Sequence, residues 1–128
     1  PLELHEIDYF EEITINDIKI NAIKQNHGVI DTLGFIFNDV FAYCTDVVGF
    51  PKKSFEYLHK MKVLIITGLR QSPHMAHAHF DLSFEWIAKL NPDVAYLTHL
   101  SPESDHDVVT KLCPPNTYPA YDGLVIDI

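Results

Sequence analysis

The chain has 128 residues, which suits one domain, and its 47% hydrophobic and 21% charged residues are ordinary proportions for a globular protein. Its 9 basic and 18 acidic residues give a net charge of −9, which argues against non-specific binding to nucleic acid. No apolar run approaches the ~20 residues that span a bilayer, and no basic-then-apolar leader is present, so we expect a cytoplasmic protein without membrane contact.

The first half of the chain predicts antiparallel β-structure. The stretch "ITINDIKINAIKQ" holds two alternating runs separated by Asn16-Asp17, which is a plausible hairpin turn. The stretch "LGFIFNDVFAYCTD" repeats the pattern with a turn at Asn38-Asp39. We therefore predict a meander of strands with one buried face.

After Asp46 the pattern changes to alternating helices and strands. A helix is predicted for "FPKKSFEYLHKM", because Phe55, Leu58 and Met61 recur at helical spacing. The continuously apolar "KVLIITGL" is typical of a strand covered on both faces. The next helix, "DLSFEWIAKLNP", is expected to be capped by Asp81 or Ser83 and to end at Asn91-Pro92.

Three more elements complete the prediction: a buried strand "DVAYLTHL", a short helix "SDHDVVTKLCPP" and a terminal strand "YDGLVIDI" after a turn at Asp122-Gly123. The order of hairpins followed by β-α-β-α-β-α-β predicts the α/β class, with a mixed sheet and helices on one side. No stretch has the composition of a linker, so we expect a single domain over residues 1–128.

Eight histidines and two distant cysteines stand out in the composition. Cys44 and Cys113 form no C-x-x-C and are expected to be free thiols in a reducing compartment. The stretch "HMAHAHFDLS" places His74, His77 and His79 within six positions, followed by an aspartate. On this pattern alone a metal cluster, a catalytic loop and a solvated polar loop all stay open.

Titratable residues also follow the ends of predicted strands. His27, Asp46 and His99 stand at such ends, and Arg70 leads from a strand into the histidine-rich loop. Strand ends hold backbones firmly, so these side chains could converge on one metal ion. The alternative is that the aspartate is a turn former or helix cap and that each histidine is a hydrogen-bonded structural residue.

Several strings resemble the C-terminal half of the metallo-β-lactamase superfamily. They are similar to its phosphodiesterase branch, which includes phosphoribosyl cyclic phosphodiesterase. The matching strings occur in the family's order and cover about residues 10–128: "NHGVIDTLGFIF", "AYCTD", "AHFDLSFEWI", "YLTHLSPESDH" and "YDGLVIDI". The resemblance implies one half of an αββα sandwich.

The resemblance also implies roles for individual residues. His27 in "NHG" and His99 in "LTH" match metal-ligating histidines, and Asp46 in "CTD" matches the carboxylate that bridges two metals. His79 in "HFDL" matches a histidine that contacts the phosphate or protonates the leaving group. His106 and Ser101 are expected to support the site from outside or to contact the substrate, and we expect His74 and His77 to face solvent or the pocket rim.

Two departures from the family pattern stand out. The H-x-H-x-D-H motif, which lies upstream of the matched residues in the family, is absent; "HAHFDL" lies downstream and lacks its last histidine. The chain, which begins with Pro1, therefore looks like a fragment that supplies only the second half. Pro102 stands where many relatives have a histidine, so an extra structural zinc is doubtful.

The function implied is a metal-dependent phosphodiesterase that cleaves a small phosphodiester or cyclic phosphate with a metal-activated hydroxide. The cofactors would be two divalent metals, zinc or manganese, whose complete site needs the missing N-terminal half. We therefore expect the isolated chain to bind metal weakly or not at all and to be inactive. An uncovered sheet face would favour a homodimer.

Three rival functions stay open. The same fold could hydrolyse a thioester, a lactone or an RNA end. The chain could instead be a non-catalytic binding or scaffold domain, or a mononuclear or transport metal protein that uses the loop from His74 to His79.

Overall fold

The computed structural model describes residues 2–128, which form one seven-stranded sheet and three helices. In chain order the elements are β1 (Glu12–Ile15), β2 (Ile18–His27), β3 (Ile30–Phe37), β4 (Phe41–Cys44), α1 (Lys52–Tyr57), β5 (Val63–Thr67), α2 (Phe80–Leu90), β6 (Val94–Thr98), α3 (His106–Leu112) and β7 (Thr117–Pro119). The strands lie in the sheet in the same order as in the chain.

The first four strands form the predicted antiparallel meander. Both predicted turns are present, and Asn16, Asn38 and Asp39 adopt φ values of 55°, 51° and 56° in them. Asparagine and aspartate tolerate this left-handed conformation better than other residues with a side chain, which explains their use here. A third turn, at Gly28-Val29, joins β2 to β3.

Strands β4 to β7 are parallel, and α1, α2 and α3 are the crossovers between them. Successive right-handed crossovers in one direction place all three helices on the same face of the sheet. The mixed sheet with helices on one side is therefore confirmed. With lengths of 6, 11 and 7 residues, none of the helices in the described chain could cross a membrane.

The core lies between the sheet and the helices. The residues that face the helices from β3 to β6 are fully or almost fully buried: Ile36, Ala42, Leu64 and Ala95, which are direct partners across the strands. From α2, Trp86, Ile87 and Leu90 pack against this face.

The opposite face of the sheet carries a row of larger side chains. These are direct cross-strand partners: Phe35, Tyr43, Ile65, Tyr96 and Tyr118. Tyr43 is 40% exposed and Tyr118 is 48% exposed. The prediction that β6 is buried on both faces is therefore wrong, because its residues alternate between buried and half-buried.

Two helix predictions need correction. Helix α1 ends at Tyr57 rather than near Met61, and the chain then turns through Lys60, whose φ is 60°. Helix α2 begins after His79, which is the N-cap without a side-chain cap bond. Asp81 and Ser83 lie inside that helix, so neither caps it.

The last strand is also displaced. Strand β7 is Thr117–Pro119, where its residues pair with β6. Residues 121–128 form the predicted turn at Asp122-Gly123 but not the predicted strand. A strand needs a neighbour for its backbone groups, and this segment has none among the described residues.

Candidate metal centre

Three of the residues singled out in the sequence meet at one edge of the sheet. His27 is the last residue of β2, Asp46 follows β4 by two residues, and His99 directly follows β6. Strands β2 and β4 both run antiparallel to β3, and β4 to β6 are mutually parallel. All three residues therefore lie at the same edge, above the carboxyl ends of the parallel strands.

Their side chains converge on one carboxylate oxygen. His27 Nε2 lies 4.0 Å from Asp46 Oδ1, and His99 Nε2 lies 3.8 Å from the same atom. Asp46 and His99 have φ values of 55° and 61°, so the chain reverses sharply at both positions. This left-handed conformation costs roughly 1–2 kcal/mol for a residue with a side chain, and strain of this kind concentrates at functional sites.

His77 is a fourth member of the cluster. Its Nδ1 lies 3.8 Å from Asp46 Oδ1, and its ring centroid lies 4.6 Å from that of His27 and 4.7 Å from that of His99. Its side chain is 16% exposed. The expectation that His77 faces solvent or the rim is wrong, because the loop that carries it folds back over the sheet edge.

The docking of this loop explains the position of His77. Ala78 N–H donates to the Val47 carbonyl at 2.7 Å, and the Ala76 carbonyl accepts from His27 Nδ1 at 2.8 Å. That second bond places the proton of His27 on Nδ1 and leaves the Nε2 lone pair directed at Asp46. His74 Nδ1 accepts from the backbone N–H groups of Ala76 and His77, so His74 shapes the loop.

The environment of His77 disfavours the charged form of its imidazole. Burial lowers the pKa of its imidazole, and His99 and His27 lower this pKa further, whereas Asp46 opposes them. His77 Nδ1 is buried and has no hydrogen-bond partner. A neutral imidazole with an unpartnered buried nitrogen is a ready donor to a metal ion or a substrate.

The cluster has the donor set of a divalent metal site. His27, Asp46 and His77 offer three ligand atoms within 4.8 Å of one another, and His99 adds a fourth on the same carboxylate oxygen. Around a tetrahedral zinc with bonds of ~2.0–2.1 Å, ligand atoms are about 3.3 Å apart. The distances from the three imidazoles to Asp46 Oδ1, 3.8–4.0 Å, are somewhat longer than this value, and the chemistry of the donor set fits a bound divalent ion.

The other residues singled out in the sequence lie around the cluster. His79 is half-buried at the N-cap of α2, and its carbonyl accepts from Ser83. Ser101 Oγ lies 3.2 Å from Ser104 Oγ, and the exposed His106 begins α3 with its ring 6.2 Å from that of Tyr121. Among the polar contacts of the described residues, none joins His79, Ser101 or His106 to Asp46.

A cavity of about 330 Å³ opens beside His99. It is lined by Thr98, His99, Leu100, Ala120, Tyr121 and Asp122.

Comparisons with known proteins agree with the fold. A family model described as a β-lactamase superfamily domain matches residues 1–100, and no curated protein matches. A new diphosphatase from the PhnP family is 30% identical with a TM-score of 0.90, over 95% of this chain and 47% of its own.

Two more distant structures share the fold alone. They are the metallo-β-lactamase fold protein YhfI from Bacillus subtilis and zinc-bound PqqB from Methylobacterium extorquens. YhfI is 13% identical with a TM-score of 0.76, over 94% of this chain and 54% of its own. PqqB is 13% identical with a TM-score of 0.75, over 95% of this chain and 55% of its own. The chain thus spans about half the length of the structures it matches.

Proposed function

This chain belongs to the metallo-β-lactamase superfamily, and from that premise we propose that it carries part of the active site of a phosphodiesterase. The substrate would be a small phosphodiester or a cyclic phosphate. The observation that supports this most strongly is the meeting of three imidazoles on the Asp46 carboxylate at the sheet edge.

Metal binding is assigned to His27, Asp46 and His99. The mixed imidazole and carboxylate set would suit zinc or manganese, with Asp46 as the carboxylate ligand. Bound divalent metals supply Lewis-acid polarisation of a phosphoryl oxygen and lower the pKa of a water to about 7. The chain's own contribution is to hold these donors in a fixed orientation, as the Ala76 carbonyl does for His27.

A histidine next to these ligands would donate a proton to the leaving group. When the ester P–O bond breaks, the departing alkoxide oxygen needs one proton, and an imidazole can donate it. The family resemblance implies this role for His79, and it stays a prediction. His77 suits metal ligation better than this role, because burial and the neighbouring imidazoles lower its pKa and its Nδ1 lies 3.8 Å from Asp46 Oδ1.

The remaining features of the proposal concern the chain as a whole. We propose that it is inactive by itself, because the family's H-x-H-x-D-H motif is absent and the chain spans about half of its structural relatives. The exposed aromatic row of the sheet supports a homodimer. Two free cysteines, one of them fully buried, support a cytoplasmic location.

A chimaera tests the proposed reaction. This chain would replace the part of the PhnP-family diphosphatase that it covers. We expect the zinc- or manganese-loaded chimaera to hydrolyse bis(4-nitrophenyl) phosphate and a ribose cyclic phosphate, and the isolated chain to hydrolyse neither. His27→Ala and His99→Ala should each lower kcat at least about 100-fold, whereas the exposed His59→Ala should leave it unchanged.

Three outcomes would contradict the proposal. Robust turnover by the isolated chain would show that its site is complete. A folded, metal-loaded chimaera that cleaves a thioester or a lactone but no phosphodiester would favour a different hydrolase. A chimaera that binds metal and hydrolyses nothing would favour a non-catalytic binding domain.

A further inference from the structure

Two side chains of the sheet, Gln25 and Thr32, hold the backbone on either side of Asp46 by hydrogen bonds, and we call this pair the brace. Gln25 on β2 is fully buried, and its Nε2 donates to the Thr45 carbonyl at 2.8 Å and to Thr32 Oγ1 at 3.3 Å. Thr32 on β3, the cross-strand partner of Gln25, donates from its hydroxyl to the Asp46 carbonyl at 2.8 Å. Neither residue touches the imidazole cluster itself.

The two carbonyls belong to the peptide groups on either side of the Asp46 Cα. Holding the Thr45 carbonyl restricts rotation about φ of Asp46, and holding the Asp46 carbonyl restricts rotation about ψ. Asp46 has a φ of 55°, a conformation that costs roughly 1–2 kcal/mol when nothing enforces it. The two hydrogen bonds therefore stabilise the one backbone conformation that aims Oδ1 at the three imidazoles.

The donor and acceptor roles in this series of hydrogen bonds are uniquely determined. A threonine hydroxyl carries a single hydrogen, so Thr32 accepts from Gln25 and gives its own hydrogen to Asp46. A flipped Gln25 amide would set its oxygen against the Thr45 carbonyl oxygen, which is repulsive. Successive bonds of this kind polarise one another and strengthen the chain.

Gly34 makes room for the brace. A Cβ built on Gly34 would lie 2.5 Å from Gln25 Oε1, so any side chain there would push the amide off its partners. The absence of a side chain at this position is thus explained by Gln25 rather than by the backbone conformation of the strand.

We propose that Gln25 and Thr32 are positioning residues for the Asp46 carboxylate, and this inference rests on the proposed role of Asp46 as a metal ligand. They act through the backbone of Asp46 and contact neither a metal nor a substrate. Their loss should free the Asp46 peptide groups and so weaken the binding of metal, while the folded sheet persists.

The test measures zinc affinity in the chimaera described above and backbone conformation in the purified chain. Thr32→Val and Gln25→Leu should each lower zinc affinity about 10- to 100-fold, the usual effect of losing a group that orients a ligand. Thr32→Ser, which keeps the hydroxyl, should restore affinity to near that of the native chain. The matched control is Ser54→Ala, which removes a buried hydroxyl that donates to the Lys24 carbonyl, away from Asp46.

A second readout needs no metal. The three-bond coupling between H–N and Hα of Asp46, measured by NMR in the metal-free chain, should change in Thr32→Val and Gln25→Leu and remain native in Thr32→Ser. A native chimaera that binds no zinc would contradict the proposed function, and the coupling in the isolated chain would then decide on the brace. Unchanged zinc affinity, or an unchanged coupling, in both variants would overturn the inference.

Discussion

Asp46 is the residue on which the cluster depends, because three imidazole nitrogens lie within 4.0 Å of its Oδ1. Asp46→Asn keeps the shape of the side chain and removes its charge. We expect zinc affinity to fall by about 100-fold or more, since an amide is a much poorer ligand than a carboxylate. Isothermal titration with zinc measures this, and Asp31→Asn, on an exposed carboxylate of the same sheet, is the control.

Equal affinity in Asp46→Asn and the native chain would contradict this role for Asp46. Zinc binding that depends instead on His74 and His79 would favour the rival in which the histidine-rich loop holds the metal.

Gly28 permits the close approach of the histidine loop to the β2–β3 turn. It has a φ of 78°, and a Cβ there would lie 3.2 Å from the Met75 carbonyl oxygen. Gly28→Ala should lower the free energy of unfolding by more than the roughly 1–2 kcal/mol of backbone strain alone. It should also lower zinc affinity, because the displaced Ala76 carbonyl orients His27.

Gly123→Ala separates these two effects. Gly123 has a φ of 89° with nothing within 4 Å of a built Cβ, so its substitution adds backbone strain without a clash. Urea denaturation and zinc titration of both variants give the comparison. If the two variants lose equal stability and both retain native zinc affinity, the loop contact at Gly28 has no importance for the site.

Some residues of the cluster could be predicted from the sequence, and one could not. The convergence of His27, Asp46 and His99 could be anticipated because they follow strand ends, while their roles as ligands were implied by the family resemblance. His77 could not be anticipated, because its place depends on hydrogen bonds from Ala76 and Ala78 to distant residues.

Among the elements, α3 carries the third crossover and depends on its cap. Asp105 accepts from the Val108 N–H at 3.0 Å at the start of this short helix. Asp105→Ala should cost about 1 kcal/mol of stability in chemical denaturation, the usual cost of losing such a cap. Asp107→Ala, in the first turn of α3 without a cap bond, should cost roughly 0.3 kcal/mol.

An equal loss in Asp105→Ala and Asp107→Ala would mean that charge near the helix terminus, not the cap bond, stabilises α3.

Element type and order followed from hydrophobic periodicity, while element ends did not. Helix α2 was clear from its repeating apolar face, but its first residue lies after an N-cap without a side-chain bond, where the Phe80 N–H donates to the Arg70 carbonyl at 2.9 Å. Strand β7 was missed because its three residues gain their strand character from pairing with β6. Tertiary contacts of this kind override local pattern.

For the whole molecule, the sheet face opposite the helices is the surface available for association. Tyr43 and Tyr118 are the most exposed members of its aromatic row. We expect a concentration-dependent dimer that Tyr43→Glu/Tyr118→Glu abolishes, because two carboxylates cannot be buried in an apolar interface. Sedimentation velocity measures this, with Tyr57→Glu, on a 39% exposed tyrosine of α1, as the control.

A monomer at all concentrations would contradict the dimer, and so would a dimer that Tyr57→Glu disrupts and the double variant does not.

The location of a bound ion tests the central claim most directly. Crystals of the chain grown with excess zinc can be measured at the zinc absorption edge, where anomalous scattering marks the ion. We predict a zinc within about 2.0–2.2 Å of an Asp46 carboxylate oxygen and of nitrogens from at least two of His27, His77 and His99. A zinc held only by the His74 and His79 side chains, or no zinc near Asp46, would contradict it.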